Sequence, residues 1–205
     1  METWFLQKRY WLESNLKKMR IISGKLKGKS ILFLKSSITR PLKDSVRENI
    51  FNILAHSNLL DVAVKKSNIL DLYSGIGSFG LECISRGASQ ITFVEKNENV
   101  VEILKKNLLS LSMQDKAIVV KDKISVFLGK KNNNKFEIIF LDPPFAENTY
   151  IEELKLIYEK KIYKKNHLVI IHREEKSTDN FKNILNPIII KKYGRSKIIF
   201  GKFLN

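Results

Sequence analysis

Five apolar runs of six residues each, Asn68–Tyr73, Gln90–Glu95, Lys116–Lys121, Phe136–Leu141 and His167–His172, punctuate the second two-thirds of the chain. Between them lie segments whose apolar residues recur at helical intervals, Phe79–Arg86, Glu98–Ser110 and Tyr150–Lys160. Short β-rich runs alternating with helices predict a parallel sheet with helices on both faces. After the fifth run, NPIIIKKYGRSKIIFGKFLN holds two more β runs joined through Tyr193–Ser196. That turn is too short for a crossover helix, so the pair should form an antiparallel hairpin at one edge. The expected fold is therefore α/β, with a mostly parallel seven-stranded sheet and a C-terminal antiparallel hairpin.

Upstream the pattern is different. RIISGKLKGKSILFL reads as two short β segments, Ile21-Ile22 and Ile31–Leu34, around Gly24 and Gly28, which predicts a small basic β-hairpin. Thr39-Arg40-Pro41 leads into a helix expected to start near Asp44, with Val46, Ile50, Phe51, Ile53 and Leu54 at helical spacing and Ser45 with Glu48 as a capping box. The leading segment carries both tryptophans, but charges at Glu2, Lys8, Arg9 and Glu13 interrupt it, so it is not a signal peptide. Three parts follow: an N-terminal extension, 1–18, without a catalytic role; a basic hairpin and helix, 19–64; and the α/β domain, 65–205. The Asn132–Asn134 run reads as a surface loop.

Charge sharpens the picture of the second part. The net charge is +16, and half of it falls between Lys17 and Glu48, where ten basic residues face two acidic ones. Clustered Lys and Arg gain affinity for polyanions by releasing counterions from phosphates, so a nucleic-acid partner is expected. Lys25, Lys27 and Lys29 are the candidate phosphate contacts, which position a nucleic acid without reading its sequence. Cys83 is the only cysteine, which excludes an intramolecular disulfide and argues against a thiolate metal site. His56, His167 and His172 show no ligand spacing and read as ordinary, so no metal is expected. No apolar run approaches the ~20 residues of a membrane span, and a cytoplasmic protein is expected.

Chemistry concentrates at two strand ends. After the first run comes Ser74-Gly75-Ile76-Gly77-Ser78-Phe79-Gly80, a G-x-G-x-x-G pattern between a strand and a helix. Glycines there let the backbone approach a ligand, and Glu95, twenty residues beyond Gly75, is placed to accept hydrogen bonds from two ribose hydroxyls. Both nicotinamide dinucleotides and S-adenosylmethionine use this geometry. The second brings a cationic amine, for which Asp71, just before the glycines, is a candidate partner; a strand-end Asp capping local N–H groups would look the same. FLDPPF, Phe140–Phe145, separates the two cofactors. A dehydrogenase wants a His or Lys acid there, and none stands near in the sequence. An exocyclic amine on a base wants two fixed acceptors that hold its lone pair toward a methyl donor. Asp142 and the carbonyl of Pro143 can supply them, Pro143 and Pro144 stiffen the turn, and Phe145 offers a ring for an extruded base.

In these motifs the chain resembles the class I S-adenosylmethionine-dependent methyltransferases, and more narrowly the bacterial RsmD type. RIISGKLKGKSI resembles that family's opening hairpin, TRPLKDSVRENIFNIL its R-P-x-x-D-x-V-R-E helix, LDLYSGIGSFGLECISRGA its cofactor loop and FLDPPF its catalytic tip. The resemblance implies a Rossmann-like fold and a monomeric enzyme that methylates a guanine N2 of 16S ribosomal RNA in the small subunit or its assembly intermediate. It also implies S-adenosylmethionine as cofactor, S-adenosylhomocysteine as product, and Arg40, Asp44 and Arg47 on the substrate side. One departure stands out. Where the family carries Asp-Ala before the short helix after the third strand, this chain has Lys121-Asp122-Lys123-Ile124. Asp122 is the candidate for the adenine contact, although Lys123 occupies the expected position. Glu82 and Cys83 should pack rather than react. The rival readings are an amino methyltransferase on another RNA or DNA base, a nicotinamide oxidoreductase, and a non-catalytic RNA-binding protein.

Overall fold

The structure is a computed structural model that describes residues 14–34, 42–131, 134–145 and 149–204. Arg40, the Thr39–Pro41 lead-in and most of the leading segment lie outside the described residues, as does part of the Asn132–Asn134 loop.

Seven strands form one sheet: β3 (Asn68–Leu72), β4 (Gln90–Glu95), β5 (Ala117–Lys121), β6 (Phe136–Leu141), β7 (Tyr163–Glu174), β8 (Leu185–Tyr193) and β9 (Ser196–Phe203). Their order is β5-β4-β3-β6-β7-β9-β8. The first five run parallel; β9 returns antiparallel beside β7, and β8 closes the edge against β9. The predicted sheet and edge hairpin are thus present. β7 extends beyond the predicted run at both ends, because Phe136 of β6 pairs with Tyr163 at its start and β9 gives its second half a partner as far as Glu174.

Strand alternation divides the core in two. Ile69, Phe93, Ile138, Phe140 and Ile170 face the layer made by α1 (Asp44–His56), α2 (Ser78–Ser85) and α3 (Glu98–Ser110). Leu70, Leu72, Ile139, Leu141 and Ile171 face α4 (Ile124–Gly129) and α5 (Tyr150–Lys160). Both faces of a parallel sheet must be covered, and near-continuous apolar strands are the sequence signature of that requirement. The chain leaves β3 toward β4 on one side and reaches β6 on the other, so the topological switch point lies between β3 and β6, where open α/β sheets bind ligands.

The upstream unit differs from expectation in two respects. Its antiparallel strands are β1 (Leu16–Arg20) and β2 (Ser30–Leu34), paired Met19 to Ile31 and Arg20 to Ser30. The first strand thus precedes Ile21-Ile22 and begins inside the segment read as an extension. Ile21 instead closes the connecting loop, donating its N–H to the Lys29 carbonyl and accepting from the Gly28 N–H, both at 2.9 Å, while its side chain is buried. The capping box does not form. Lys43 is the N-cap of α1 without a side-chain bond, and Asp44 at the first helical position provides the negative charge that the helix N-terminus favours.

Gly80 explains why α2 can lie so close to β4. A Cβ there would stand 2.3 Å from Cε1 of Phe93 and 2.9 Å from Cγ2 of Ile91, both fully buried. Gly80→Ala is therefore expected to cost about 1–3 kcal/mol by overpacking, read as a lower urea midpoint at unchanged slope.

Candidate functional site

A cleft of about 1240 Å³ opens at the carboxyl ends of the parallel strands. Its floor and walls come from the loop after β3, the end of β4, the turns after β5 and β6, the end of β7 and the β8–β9 turn. Ser74, Gly75, Glu95, Asp122 and Asp142–Phe145, which belong to separate stretches of sequence, meet in it.

The glycine loop bends through left-handed backbone at Tyr73 (φ 56°), Gly75 (φ 55°) and Gly77 (φ 83°). At Gly77 a side chain would also strike Cδ1 of Leu104, at 2.4 Å. The loop's amides are turned inward: Gly75 donates to Glu95 Oε2 at 3.1 Å, Gly77 to the Ser74 carbonyl at 2.8 Å, and Gly80 to Asp71 Oδ2 at 3.0 Å. Glu95 Oε1 accepts from the Asn97 N–H at 2.8 Å. Each Glu95 oxygen thus holds one backbone donor and retains a further lone pair. This arrangement fits a ribose diol and a cationic ligand. The Gly75 and Gly80 amides, held by carboxylates, are withdrawn from any pyrophosphate.

Asp71 is 1% exposed and does not line the cleft; it lies under the loop and ties it to α2 through Gly80. Burial pushes its carboxyl well above the usual range against the pull of the Gly80 N–H, and the charges of Asp142 and Glu95 push the same way. The capping role is the one observed. Gly77 and Gly80 likewise shape the loop from below, outside the cleft lining. Asp122 does line the cleft, with Oδ1 on the Lys123 N–H and Oδ2 on Lys130 Nζ, both at 2.9 Å, and the Lys130 bond holds its carboxyl below the usual range. Lys123 lines the cleft beside it.

The turn after β6 is held from behind. Arg173, 1% exposed, directs Nη1 to the Pro144 carbonyl at 3.4 Å and Nη2 to the Phe145 carbonyl at 3.5 Å. Its Nε donates to Asp179 at 3.1 Å, its guanidinium lies 4.4 Å from the Tyr150 ring centroid, and Lys197 pairs with Asp179 at 2.8 Å. Tyr150 donates to the same carboxylate, and burial together with that bond pushes its phenol far up. Among the described residues nothing donates to the Pro143 carbonyl, which leaves it open as an acceptor. Asp142 sits beside His172, because the β6–β7 register pairs Leu141 with Ile171 and the next residues fall side by side. The His172 Nδ1 to Asp142 Oδ1 distance is 2.7 Å, and the Phe145 and His172 rings meet edge to face at 5.5 Å.

The substrate-side candidates divide. Lys25, Lys27 and Lys29 are exposed on the loop between β1 and β2, outside the cleft. Asp44 is half-exposed and pairs with Arg47 at 3.1 Å and more loosely with Arg20. Arg47 is fully buried, donating to the Arg20 carbonyl at 2.6 Å with Glu82 beyond it, so it joins hairpin to helix and does not face the cleft. Among the described residues of that region, Leu42, Lys43 and Val46 reach the cleft wall. Cys83 is packed in the core as expected. Glu82 packs as well, but as a buried charge. His167 is structural, accepting the Phe203 N–H at Nε2. The sequence reads His172 as ordinary and assigns no role to Arg173, Tyr73 or Arg195; the one available signal is the position of His172 at the end of an apolar run. Among the described residues no cluster suited to a metal ion occurs, and no helix is long and apolar enough to cross a membrane.

With this geometry in view, comparison with known proteins is specific. The sequence pattern of the family described as conserved hypothetical protein 95 matches residues 19–202. Ribosomal RNA small subunit methyltransferase D of Buchnera aphidicola subsp. Baizongia pistaciae is 31% identical over 193 residues, 94% of this chain and 95% of that protein. The solved structure of yhhF from Escherichia coli superposes with a TM-score of 0.78 at 27% identity, covering 90% of this chain and 97% of that one. At 15% identity, the crystal structure of SMU.776 complexed with SAH shares the fold, with a TM-score of 0.66 over 86% of this chain and 54% of that one.

Proposed function

Since this chain belongs to the RsmD family, the family of conserved hypothetical protein 95, we propose that it is a ribosomal RNA methyltransferase acting on the exocyclic N2 of a guanine in 16S ribosomal RNA. S-adenosylmethionine is its cofactor and, bound in the cleft, supplies an electrophilic methyl group. The observation that carries the reading is that the glycine loop with Glu95 and the Asp142–Phe145 turn share one cleft at the switch point. Glu95 takes the ribose hydroxyls, and the wall formed by Asp122 and Lys123 takes the adenine. Asp142 and the Pro143 carbonyl accept the two N–H groups of the amine, favouring the pyramidal nitrogen whose lone pair attacks. Phe145 stacks the base, and Pro144 with Arg173 behind it keeps the acceptors still. The amine proton becomes acidic once the new N–C bond has formed, and Asp142 or water suffices to take it. The inward-turned amides of the glycine loop weigh against a dinucleotide, and a non-catalytic RNA binder leaves this cleft without a use.

In the same reading, 19–64 is the RNA-contacting unit, 65–205 the cofactor-binding domain, and the enzyme acts as a monomer on the small subunit or its assembly intermediate. Tritiated methyl transfer to small-subunit particles and to naked 16S RNA, followed by mass spectrometry of the digest, tests the function. A methyl on adenine or cytosine, or none, would overturn the guanine assignment. Replacing Lys25, Lys27 and Lys29 together by Ala should weaken RNA binding at all sequences and flatten the log–log salt slope by about two, with S-adenosylhomocysteine affinity unchanged. An unaltered slope would remove the hairpin from the interface.

A further inference from the structure

Among the described residues, the one titratable side chain in direct contact with the proposed amine acceptor is His172. It is 9% exposed, lies near the carboxyl end of β7 in the cleft wall and touches Asp142 at 2.7 Å through Nδ1. As a carboxylate Asp142 has no hydrogen to give, so Nδ1 carries the hydrogen and donates it to Oδ1. Nε2 is then the ring's second polar atom. Among the described residues Nε2 is buried and has no partner. A buried polar atom without a partner carries a free-energy penalty, and an apolar residue, as at Ile170 and Ile171 on the same strand, would fill the place without it. Packing therefore does not account for a histidine here, whereas the bond to Asp142 does.

We propose that His172 is a positioning residue for the transfer step, fixing the rotation of the Asp142 carboxylate so that Oδ1 is engaged and Oδ2 is presented to the amine. This rests on the methyl-transfer reading above. A carboxylate on a strand end turns freely about its last bond, and an acceptor that wanders loses the orientation on which the step depends. Phe145 adds a second restraint: its ring and the imidazole meet edge to face with centroids 5.5 Å apart, so one side chain spaces the acceptor and the stacking platform together. His172 touches neither methyl nor amine in this role; it acts through Asp142.

Single-turnover rates at saturating cofactor, in the full-length protein with 16S RNA substrate, test the proposal. His172→Ala should slow transfer about 10- to 100-fold, the worth of a hydrogen bond to a charged group, while KM for RNA and S-adenosylhomocysteine affinity change less than about threefold. His172→Asn, whose amide nitrogen overlies Nδ1, should recover most of the rate. In an Asp142→Asn background the further change His172→Ala should have little effect, because the partner through which it acts is already altered. Long-range 1H–15N correlation in the wild type should show the Nδ1–H tautomer, and Asp142→Asn should disturb it. Equal losses for Ala and Asn, or effects of His172 and Asp142 that multiply, would overturn the positioning role while leaving the methyl-transfer reading intact. A wild type that binds S-adenosylhomocysteine but methylates no small-subunit RNA would overturn that reading, and the proposed role with it.

Discussion

Asp142→Ala is expected to lower methyl transfer to 16S RNA by about 10²–10³-fold, the loss typical when one preorganised hydrogen-bonding group is removed from a reacting centre, while leaving cofactor binding nearly unchanged. The separation follows from the geometry. Asp142 belongs to the turn after β6, whereas the contacts assigned to the cofactor come from the loop after β3, the end of β4 and the turn after β5. Its carboxylate is 23% exposed and bonded to His172, so its loss removes one side-chain partner and opens no core cavity. The cost should fall on the rate constant. Calorimetry with S-adenosylhomocysteine and single-turnover assays on the same preparation check both halves. A mutant within tenfold of wild type would show that the Pro143 carbonyl and base stacking suffice to orient the amine, and the role of Asp142 would be lost. Weakened cofactor binding would point instead to a collapse of the switch-point cleft, which Asp142→Asn, of nearly the same shape, should avoid.

The sheet was legible because its signals are local. Gln90–Glu95, Phe136–Leu141, Glu98–Ser110 and Tyr150–Lys160 stand in the structure at the bounds the apolar pattern predicts, since each is a run whose own periodicity sets its type. The hairpin was legible in kind but displaced, because Ile21 is as apolar as a strand residue and only its contact inside the loop shows that it closes the turn. Asp142 and the glycine loop could be read because their backbone chemistry, two prolines and three glycines, is written in consecutive letters. Arg173 could not, and the place of His172 at the end of an apolar run does not reveal Asp142 beside it. Their importance depends on β7 lying beside β6 in a register that no local pattern encodes, and on Asp179, which approaches Arg173 only after the chain turns past β7. Arg47 shows the reverse error. The motif it shares with the family places it on the substrate side, and only the fold reveals that Glu82, from a helix more than thirty residues later, helps draw it into the interior.

Glu82 is where the second large effect is expected. Its carboxylate is fully buried, accepts the Ile22 and Ser23 N–H groups at 2.8 and 2.9 Å, pairs with Arg86 at 3.0 Å and stands 3.9 Å from Arg47 Nε. One side chain thus fastens the hairpin loop, α1 and the cofactor helix α2 at a single point. Burial already lowers the Arg47 pKa, with Asp44 and Glu82 opposing it, so removing Glu82 would leave a buried cation with less compensation and two loop amides without acceptors. Glu82→Ala should therefore destabilise the protein by about 3–5 kcal/mol, the range for breaking a buried ion pair from one side. Glu82→Gln, which presents an amide to the same donors, should recover only part of that. Replacing Glu82 and Arg47 together by Leu and Met removes the stranded charge, and should be less costly than Glu82→Ala despite altering more atoms. Urea midpoints measure the three variants. Hydrogen exchange at Ile22 and Ser23 shows whether the loop has come loose, and filter binding at fixed salt shows whether RNA affinity goes with it. A Glu82→Ala variant within 1 kcal/mol of wild type, with both amides still protected, would mean that the Ser85 and Gly24 contacts alone hold the loop on α2, and the junction would lie there instead.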